Sequence, residues 1–331
     1  MPESSSRLVA DVGGTNTRMA LYDPATGEYR QLATYSNRDH PGIEDIISRW
    51  LAALQESPPA LCCIAAAAPP SGERVTMINI NWSFSCTELA RQFGFTQVYW
   101  LNDFQANAYS LPHLKDNERV LLHAGVSSPP VRLATVGPGT GLGGACLEQI
   151  NTVPYARACE PGHMGLSPAT DLELEIFRVL LPRDGEIHAE RLVSGPGLLL
   201  LYRTLAEIRG EAASATSSAA VSRAAISGED QLCALALETF CGLLGSVCGD
   251  FALANGAYGG LYLAGGIVPR MLDFLRASSF IRRFHEKGAM GPHLQAVPLY
   301  AITAAQPGLI GAAHAPLNQL AFPADFTPTL H

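Results

Sequence analysis

The sequence predicts an α/β protein of two domains, and three observations support that prediction. Short apolar runs of strand length alternate along the chain with longer segments of helical periodicity, as in layered α/β folds. The 331 residues exceed one typical domain, which has roughly 150 residues. A strand, a turn rich in glycine and threonine, and a second strand occur near residues 8–22 and again near 133–147, which indicates a weak internal duplication.

The individual elements follow from periodicity and from the residues that begin and end them. In chain order we predict strands at 7–12 and 18–22, a helix at 41–55, strands at 60–68 and 97–101, a helix at 104–111, strands at 133–136 and 145–147, helices at 172–181, 196–209 and 230–255, a strand at 260–264 and a helix opened by Pro269. Residues 210–222 are rich in Ala, Ser and Thr, which predicts a mobile loop.

Composition and charge argue against two kinds of partner. Hydrophobic residues make up 47% of the chain and charged residues 16%, an ordinary globular balance. The formal net charge is −8, whereas nucleic acids and anionic membranes attract basic proteins. We therefore expect no nucleic-acid partner and no membrane partner. A phosphate ligand is compatible with this charge, because backbone N–H groups and a metal ion bind phosphate.

The lack of a recognisable targeting signal and the pattern of cysteines predict a cytoplasmic protein. The N-terminal segment has no basic region followed by an apolar stretch of signal length. No window approaches about 18 uninterrupted apolar residues, so we expect no transmembrane helix. The eight cysteines include no Cys-x-x-Cys pair and lie mostly in apolar runs. Reduced core thiols explain this pattern better than a metal site or a disulfide framework.

Two glycine-rich turns are candidates for holding phosphate groups. The first contains Gly13, Gly14, Thr15 and Asn16, and the second, Gly137-Pro-Gly-Thr-Gly-Leu-Gly-Gly144, contains Gly139, Thr140 and Gly141. Glycine lets backbone N–H groups approach an anion, and a threonine hydroxyl adds a donor. Either turn alone is more often a plain hairpin. The two turns together, with Asp11 and Asp103 at the ends of predicted strands, favour binding of a triphosphate from two sides.

Two better-known phosphate motifs do not fit the second turn. Residues 139–144 satisfy G-x-G-x-x-G, and Glu160 follows about 20 residues later, as in dinucleotide-binding proteins. That motif must open a helix, whereas here it opens another strand, so we disfavour a dehydrogenase. The chain also lacks Gly-Lys followed by Ser or Thr, which excludes a P-loop.

Seven segments, taken in order, resemble bacterial glucokinases. They are Asp11-Val-Gly-Gly-Thr-Asn-Thr-Arg18, Leu101-Asn-Asp-Phe104, Gly137-Pro-Gly-Thr-Gly-Leu-Gly143, Cys159-Glu-Pro-Gly-His163, Ala189-Glu-Arg-Leu-Val-Ser-Gly-Pro-Gly197, Leu263-Ala-Gly-Gly-Ile-Val-Pro-Arg270 and Pro307-Gly-Leu-Ile-Gly311. Each segment is only suggestive, but their order and spacing over about residues 7–314 are specific.

The resemblance implies a fold, a co-substrate and an assembly. The fold is the two-domain α/β sugar kinase fold of the actin-like ATPases, also called ribonuclease H-like, with a cleft between the domains. Residues 1–112 plus 303–331 would form the small domain and residues 113–302 the large one. The family uses ATP with Mg²⁺ and is usually a homodimer.

Two departures from related sequences bear on metal and sugar binding. The related repressor, open-reading-frame and kinase (ROK) group carries a cysteine-rich zinc motif after its Glu-x-Gly-His segment. The residues that follow His163 here contain no cysteine, so we expect no zinc and place the chain in the zinc-free branch. Pro161 stands where the family leads us to expect glycine, but Glu160 and His163 remain three residues apart.

Asp103 is the residue that the resemblance assigns as catalytic base. Sugar phosphorylation needs a base near the attacking hydroxyl, a metal on the phosphates and donors that absorb charge. Asp103 directly follows a predicted strand, at the end where α/β sheets bind ligands. The alternative is that Asn102 and Asp103 only cap the following helix.

The remaining roles also come from the resemblance. Asn102, Asp103, Glu160, His163 and Glu190 match positions that hold glucose, and Asn79 is a further candidate. Carboxylates, amides and an imidazole suit a sugar because each hydroxyl both donates and accepts. Each of three residues has an alternative interpretation without a ligand. His163 could be an ordinary loop histidine, Glu190 a surface charge beside Arg191, and Asn79 a turn asparagine.

Nucleotide and metal contacts complete the expected site. Asp11 ends the first strand and would lie near Mg²⁺, with water between them, which suits this metal. Gly265 and Gly266 would form the strip along which adenosine lies. The alternative is that both glycines serve only the backbone turn between a strand and a helix.

The expected function is ATP-dependent phosphorylation of the 6-hydroxyl of D-glucose. A kinase for fructose, mannose or an N-acetylhexosamine is the second hypothesis, because much of the sugar site would be shared. A sugar sensor or transcriptional regulator is the third. Only ten residues precede Asp11, which leaves no room there for the helix-turn-helix of the related regulators.

Overall fold

Strands and helices alternate through the described part of the chain, which in this computed structural model comprises residues 6–69, 74–77, 80–126 and 132–317. The strands are β1 (Arg7–Val12), β2 (Asn16–Asp23), β3 (Glu28–Ser36), β4 (Leu61–Ala66), β5 (Arg74–Thr76), β6 (Ser83–Ser85), β7 (Gln97–Asn102), β8 (Arg119–His123), β9 (Arg132–Pro138), β10 (Leu142–Ile150), β11 (Val153–Cys159), β12 (Gly260–Leu263) and β13 (Leu299–Ile302). The helices are α1 (Ile43–Ala53), α2 (Cys86–Phe93), α3 (Asp103–Ser110), α4 (Asp171–Asp184), α5 (Ala189–Leu192), α6 (Gly195–Arg209), α7 (Ser218–Ser227), α8 (Gln231–Asn255), α9 (Leu272–Ala277), α10 (Phe280–His285), α11 (Gly291–Gln295) and α12 (Pro307–His314).

Two local predictions need correction. The predicted mobile loop 210–222 contains the start of α7, because Ser217 caps that helix by accepting from the Ala220 N–H at 3.2 Å. The helix also buries Val221 and Ala225 in the core. Pro269 does not open a helix. It lies in a 3₁₀ turn, and α9 begins three residues later, at Leu272.

The described residues divide into two compact units. The first draws on Met1–Leu114, Gln149–Ala158 and Ala305–His331, and the second on Lys115–Glu148 and Cys159–Ala304. The segment 149–158 groups with the first unit although it lies within 113–302. A physical reason is that Ala156 is 1% exposed and its carbonyl accepts from Gln105 Nε2 at 3.2 Å. The domain boundaries given above stay a prediction.

The first unit is built on a five-stranded sheet in the order β3-β2-β1-β4-β7. Strand β1 pairs antiparallel with β2 and parallel with β4, which in turn pairs parallel with β7. Val12, Ala66 and Asn102 are neighbours in register. Because parallel strands end at one edge, the first glycine turn and Asp103 emerge on the same edge of this sheet.

Helix α12 completes the first unit by packing on α3 and on β1. Gly311 faces the backbone of Ala106 so closely that a Cβ atom there would overlap the Ala106 carbonyl. At the start of the helix, a Cβ on Gly308 would lie 2.8 Å from Asp11 Oδ1. Glycine is required at both positions, and the second one brings the helix against the carboxylate.

A pair of stacked histidines lies where α12 ends. The rings of His113 and His314 have centroids 3.6 Å apart and planes 9° apart. The Tyr22 hydroxyl is 3.5 Å from a ring nitrogen of His314, and Arg7 lies over the Tyr22 ring. Burial first, and then the neighbouring His113 and Arg7, lower the pKa of His314 to about 4. Burial also lowers the pKa of His113.

We expect acid to destabilise the first unit through this pair. The unfolded chain takes up a proton on His314 below pH about 6.5, whereas the folded chain does so only near pH 4. Stability is therefore lost as pH falls through this window, by about 1–2 kcal/mol once solvent screening is allowed for. His314→Phe keeps a ring and removes the titration, so its unfolding midpoint in urea should vary less between pH 6.5 and 4 than that of the wild type. An equal slope in both proteins would contradict the assignment.

The second unit contains most of a six-stranded sheet in the order β11-β10-β9-β12-β13-β8. Strands β9 and β10 form an antiparallel hairpin around the second glycine turn. The turn therefore opens a strand, as predicted, and the dinucleotide motif is excluded by the geometry. Strand β12 pairs parallel with both β9 and β13.

Helix α8 is the centre of the second unit. It is long and apolar enough to cross a membrane by length and composition, but 78% of its most apolar window is buried inside the protein. It packs against α6, α7 and α10 and carries Phe240, Leu244 and Val247 in the core. Its burial therefore fits the core helix of the unit. The sequence predicted it at 230–255, and Asp230 caps it by accepting from two N–H groups.

Candidate active site

The first glycine turn joins β1 to β2. Within the turn, the Gly13 N–H donates to the Asn16 carbonyl at 3.0 Å. Gly14 is half-buried and Thr15 is exposed, so the tip of the turn faces solvent. This leaves the outer surface of the turn available to a ligand.

Asn37 is the residue that holds this turn from behind. Its side chain is buried and donates from Nδ2 to the Gly13 carbonyl at 2.7 Å. Its Oδ1 accepts from the Thr17 hydroxyl at 2.8 Å, and its backbone N–H donates to the Thr15 carbonyl at 2.8 Å. Two carbonyls of the turn, those of Gly13 and Thr15, are therefore held by Asn37. No local sequence signal marks Asn37, because its partners lie 20 or more residues away.

Asp11 is the carboxylate beside this turn. Its side chain is 18% exposed, and Arg18 Nη1 lies 3.8 Å from its Oδ2. Burial raises the pKa of the Asp11 carboxyl, and the Arg18 charge opposes that rise only in part. A half-buried carboxylate with a single cation at the edge of ion-pair distance is suited to a second cation. Mg²⁺ usually takes one or two carboxylates, phosphate oxygens and several waters, so Asp11 fits this metal.

Asn102 and Asp103 stand at the end of β7 and the start of α3. Asn102 Oδ1 accepts from the Phe104 N–H at 2.9 Å, and the Gln105 side chain accepts from the Asn102 N–H at 3.1 Å. Asn102 Nδ2 donates to the Ala68 carbonyl at 2.8 Å. The capping alternative is therefore realised by Asn102. Asp103 is the first residue of the helix and is half-buried, and its Oδ1 also lies 3.0 Å from the Phe104 nitrogen.

The second glycine turn joins β9 to β10 in the second unit. The Gly139 N–H donates to the Gly141 carbonyl at 2.8 Å, and the Gly139 carbonyl accepts from the Gly195 N–H at 2.8 Å. No atom lies within 4 Å of a Cβ built on Gly139, and Thr140 is exposed. This turn therefore has an open surface at Gly139 and Thr140.

Gly265 and Gly266 follow β12 and differ in what they require. Gly265 has φ +92°, and a Cβ there would lie 2.5 Å from the Pro138 carbonyl oxygen. Conformation and close approach to β9 therefore both demand glycine at this position. A Cβ on Gly266 would meet no atom within 4 Å, so this position faces open space.

A cavity of about 530 Å³ lies beside these glycines in the second unit. Its size is within the usual range for small-molecule sites, about 300–1,000 Å³. It is lined by Leu198, Ser218, Ala219, Ser222, Arg223, Ile226, Ser227, Ile267 and Arg270. The sequence analysis missed it because α7 supplies much of the lining, and the start of that helix was predicted as a loop.

Glu160, His163 and Glu190 also belong to the second unit. Glu160 precedes a 3₁₀ turn that ends at His163, and both residues are exposed. The His163 ring centroid lies 5.3 Å from that of His188. Glu190 is half-buried on the short helix α5, and its Oε2 accepts from the Leu142 N–H at 2.8 Å. Asn79 lies outside the described residues.

No cluster of three or more His, Cys, Asp or Glu side chains suited to a metal occurs within the ranges 6–69, 74–77, 80–126 and 132–317. The expectation that the protein binds no zinc stays a prediction. Within these ranges the cysteines are thiols that form no disulfide bonds. Burial raises the pKa of Cys63 to about 12, so that thiol is protonated and unreactive near neutral pH.

Comparisons with known proteins point to one family. The family model described as Glucokinase matches residues 8–319. The glucokinase of Chromobacterium violaceum is 41% identical, over 99% of this chain and 94% of that protein. The glucokinase of Saccharophagus degradans is 37% identical, over 95% of this chain and 98% of that protein.

Solved structures extend the similarity to the fold. The crystal structure of a glucokinase from an Antarctic psychrotroph has a TM-score of 0.86 and 36% identity, covering 94% of this chain and 98% of that one. A ROK-family glucokinase from Streptomyces griseus, solved with glucose and AMPPNP, has a TM-score of 0.61 and 20% identity over 93% and 98% of the two chains. At that identity the likeness concerns the fold alone. Together these structures confirm the predicted fold class, the α/β fold of the actin-like sugar kinases.

Proposed function

This chain belongs to the glucokinase family, and on that premise we propose that it transfers the γ-phosphoryl group of ATP to the 6-hydroxyl of D-glucose. The observation that carries the proposal is the edge of the first sheet. Asp103 follows β7 there, and the first glycine turn follows β1, two strands away in register. A base and a phosphate-binding turn at one edge are what a sugar kinase requires.

Asp103 acts as the catalytic base in this proposal. Its carboxylate accepts the proton of the 6-hydroxyl while that oxygen forms a bond to the γ-phosphorus of ATP. The bond from the γ-phosphorus to the β–γ bridging oxygen breaks, and ADP leaves with both electrons of that bond. The products are glucose 6-phosphate and ADP, and the proton remains on Asp103 until it passes to solvent. Phosphoryl transfer leaves little other chemistry to the protein, so positioning supplies much of the rate.

Phosphate groups of ATP bind to the two glycine turns in this proposal. Gly13, Gly14, Thr15 and Asn16 form the first turn, where the exposed Thr15 hydroxyl is a donor, and Gly139, Thr140 and Gly141 form the second. Asp11 would hold Mg²⁺ through water, and the bound metal would neutralise phosphate charge. Adenosine would lie along Gly265 and Gly266 and enter the neighbouring cavity, whose serines and arginines offer polar contacts.

In this proposal the sugar hydroxyls are bound by Asn102, Asp103, Glu160, His163 and Glu190. Asn79 is proposed as a further contact. Acceptors and donors built for hydroxyls reject sugars that lack them, because buried polar groups would then be left unpaired. We also propose that the protein is a zinc-free cytoplasmic homodimer with no nucleic-acid or membrane partner.

A panel of sugars tests the proposed function. The purified protein is incubated with Mg-ATP and glucose, mannose, fructose, N-acetylglucosamine or no sugar, and ADP release is followed. We expect release that depends on glucose and is much slower with the other sugars. Preference for another hexose would keep the mechanism and change the substrate. The absence of sugar-dependent release with every sugar would refute the proposal.

Asn37→Asp should weaken ATP binding more than glucose binding. The substitution keeps an acceptor for the Thr17 hydroxyl but replaces the amide that donates to the Gly13 carbonyl, so the first turn loses its shape. We expect the KM for ATP to rise about 10-fold, as for loss of one buried hydrogen bond, with little change in the KM for glucose. Thr17→Val removes the other side-chain hydrogen bond of Asn37 and is the matched control, with a smaller expected effect. A uniform loss of kcat with both KM values unchanged would indicate a purely structural role.

A further inference from the structure

Glu190 lies at a junction of three segments in the second unit, and we infer that it couples nucleotide binding to sugar binding. The inference rests on the proposed function for both the sugar and the nucleotide. The carboxylate assigned to a sugar hydroxyl also fixes the second glycine turn, so Glu190 is a positioning residue for that turn as well as a sugar ligand. Three contacts carry the inference.

The first contact is a hydrogen bond to the turn itself. Glu190 Oε2 accepts from the Leu142 N–H at 2.8 Å. Leu142 directly follows Gly141, begins β10 and is 2% exposed. An N–H in that position has few alternative acceptors, so losing the carboxylate leaves it unsatisfied. The bond therefore fixes the direction in which the turn enters β10.

The second contact is steric and involves two glycines. A Cβ on Gly141 would lie 2.5 Å from Glu190 Oε2, and a Cβ on Gly162 would lie 3.0 Å from the same oxygen. Both glycines therefore make room for the carboxylate. Gly139 differs, because no atom lies within 4 Å of its Cβ position. Within the second turn, therefore, Gly139 leaves open space for a phosphate, whereas Gly141 accommodates the Glu190 carboxylate.

The third contact joins the loop between Glu160 and His163 to the same strand. A Cβ on Gly144 would lie 2.8 Å from Pro161 Cγ, and a Cβ on Gly162 would lie 2.6 Å from the Leu142 carbonyl oxygen. Pro161, the departure noted in the sequence, is thus packed on β10. The loop, the turn and Glu190 form one packed group, and dense packing transmits a shift of one member to the others.

Coupling between the two ligands follows from this arrangement. A sugar hydroxyl that donates to Glu190 would restrain the carboxylate and, through Leu142, the turn. Restraint of the turn before ATP arrives lowers the cost of ordering it. The effect must be reciprocal, so nucleotide tightens sugar binding by the same factor as sugar tightens nucleotide binding.

Calorimetric titration with Mg–AMPPNP in the absence of sugar tests the link directly. We expect Glu190→Ala to weaken AMPPNP binding about 5- to 10-fold, as for loss of one charged hydrogen bond to the turn. Glu190→Gln keeps an oxygen for the Leu142 N–H and fills the same space, so it should bind AMPPNP within about twofold of the wild type. Glu186→Ala, an exposed glutamate on the same segment, is the matched control.

A repeat with saturating glucose measures the coupling factor. In the wild type glucose should tighten AMPPNP binding, and in Glu190→Ala this factor should fall to about one. AMPPNP binding by Glu190→Ala that equals that of Glu186→Ala would overturn the inference. The sugar-free titration does not depend on glucose, so a protein that shows the nucleotide result but no glucose-dependent ADP release fails the proposed function alone.

A second variant keeps the test decisive if Glu190→Ala folds poorly. Gly141→Ala retains Glu190 but places a methyl group against its Oε2, which displaces the carboxylate from Leu142. We expect the same loss of AMPPNP affinity as in Glu190→Ala. In the double variant the clash is gone, so the loss should be no greater than in Glu190→Ala alone. Additive losses would mean that the glycine acts independently of Glu190, against the inference.

Discussion

Asp103→Asn should lower kcat for glucose phosphorylation by about 10²–10⁴, the usual contribution of a general base. The amide has nearly the same shape as the carboxylate, but it does not accept the proton of the 6-hydroxyl. Because binding contacts are largely kept, the KM values for glucose and ATP should change little. A drop in kcat with unchanged KM values is the signature of an interaction made only in the transition state.

The matched control for this variant is Asp171→Asn. Asp171 is the first residue of α4, as Asp103 is the first residue of α3, and it is exposed. If Asp103 acted only as a helix-terminal residue, the two substitutions would cost similar stability and neither would affect kcat. A kcat for Asp103→Asn within about tenfold of the wild type would mean that another group is the base.

Arg283→Met should destabilise the second unit by about 3–5 kcal/mol. Arg283 is 3% exposed and forms a bidentate pair with Glu173, at 2.6 and 3.2 Å, in the core of the unit. Its guanidinium also donates to the Ser246 hydroxyl at 2.8 Å. Removing the cation leaves a buried carboxylate without a charge partner, and that penalty exceeds the loss of packing.

A second substitution separates the charge from the packing. Replacing Glu173 by Leu in the Arg283→Met background removes the unpaired carboxylate, so most of the lost stability should return. The Ala169 N–H, which donates to Glu173 at 2.7 Å, belongs to an exposed residue that water can solvate. A double variant no more stable than Arg283→Met would contradict this account.

Two optical probes separate the units in these measurements. The three tryptophans are Trp50, Trp82 and Trp100, and all lie in the first unit. Tryptophan fluorescence therefore reports on the first unit, whereas circular dichroism is dominated by the helices of the second. Arg283→Met should move the circular dichroism transition in urea, and His314→Phe should alter the acid dependence of the fluorescence transition.

Most strands and helices of the site were predictable from the amino-acid sequence, because their signals are local. Alternating apolar residues predicted β1, and the helix predicted at 230–255 is found at Gln231–Asn255. The ordered motifs identified the family, which the comparisons confirm. Edge strand β3 was missed because it is mostly exposed and lacks the apolar alternation that marks a half-buried strand.

The groups that hold the two glycine turns became evident from the folded structure and not from the sequence. Asn37 reaches Gly13 across 24 residues, and Glu190 reaches Leu142 across 48. The structure also shows that the Asn102 side chain caps α3 and at the same time donates to the Ala68 carbonyl. The position of a turn depends on residues that are close in the chain, so it can be predicted from the sequence. The groups that shape the turn come from distant segments, whose approach depends on how the whole core packs.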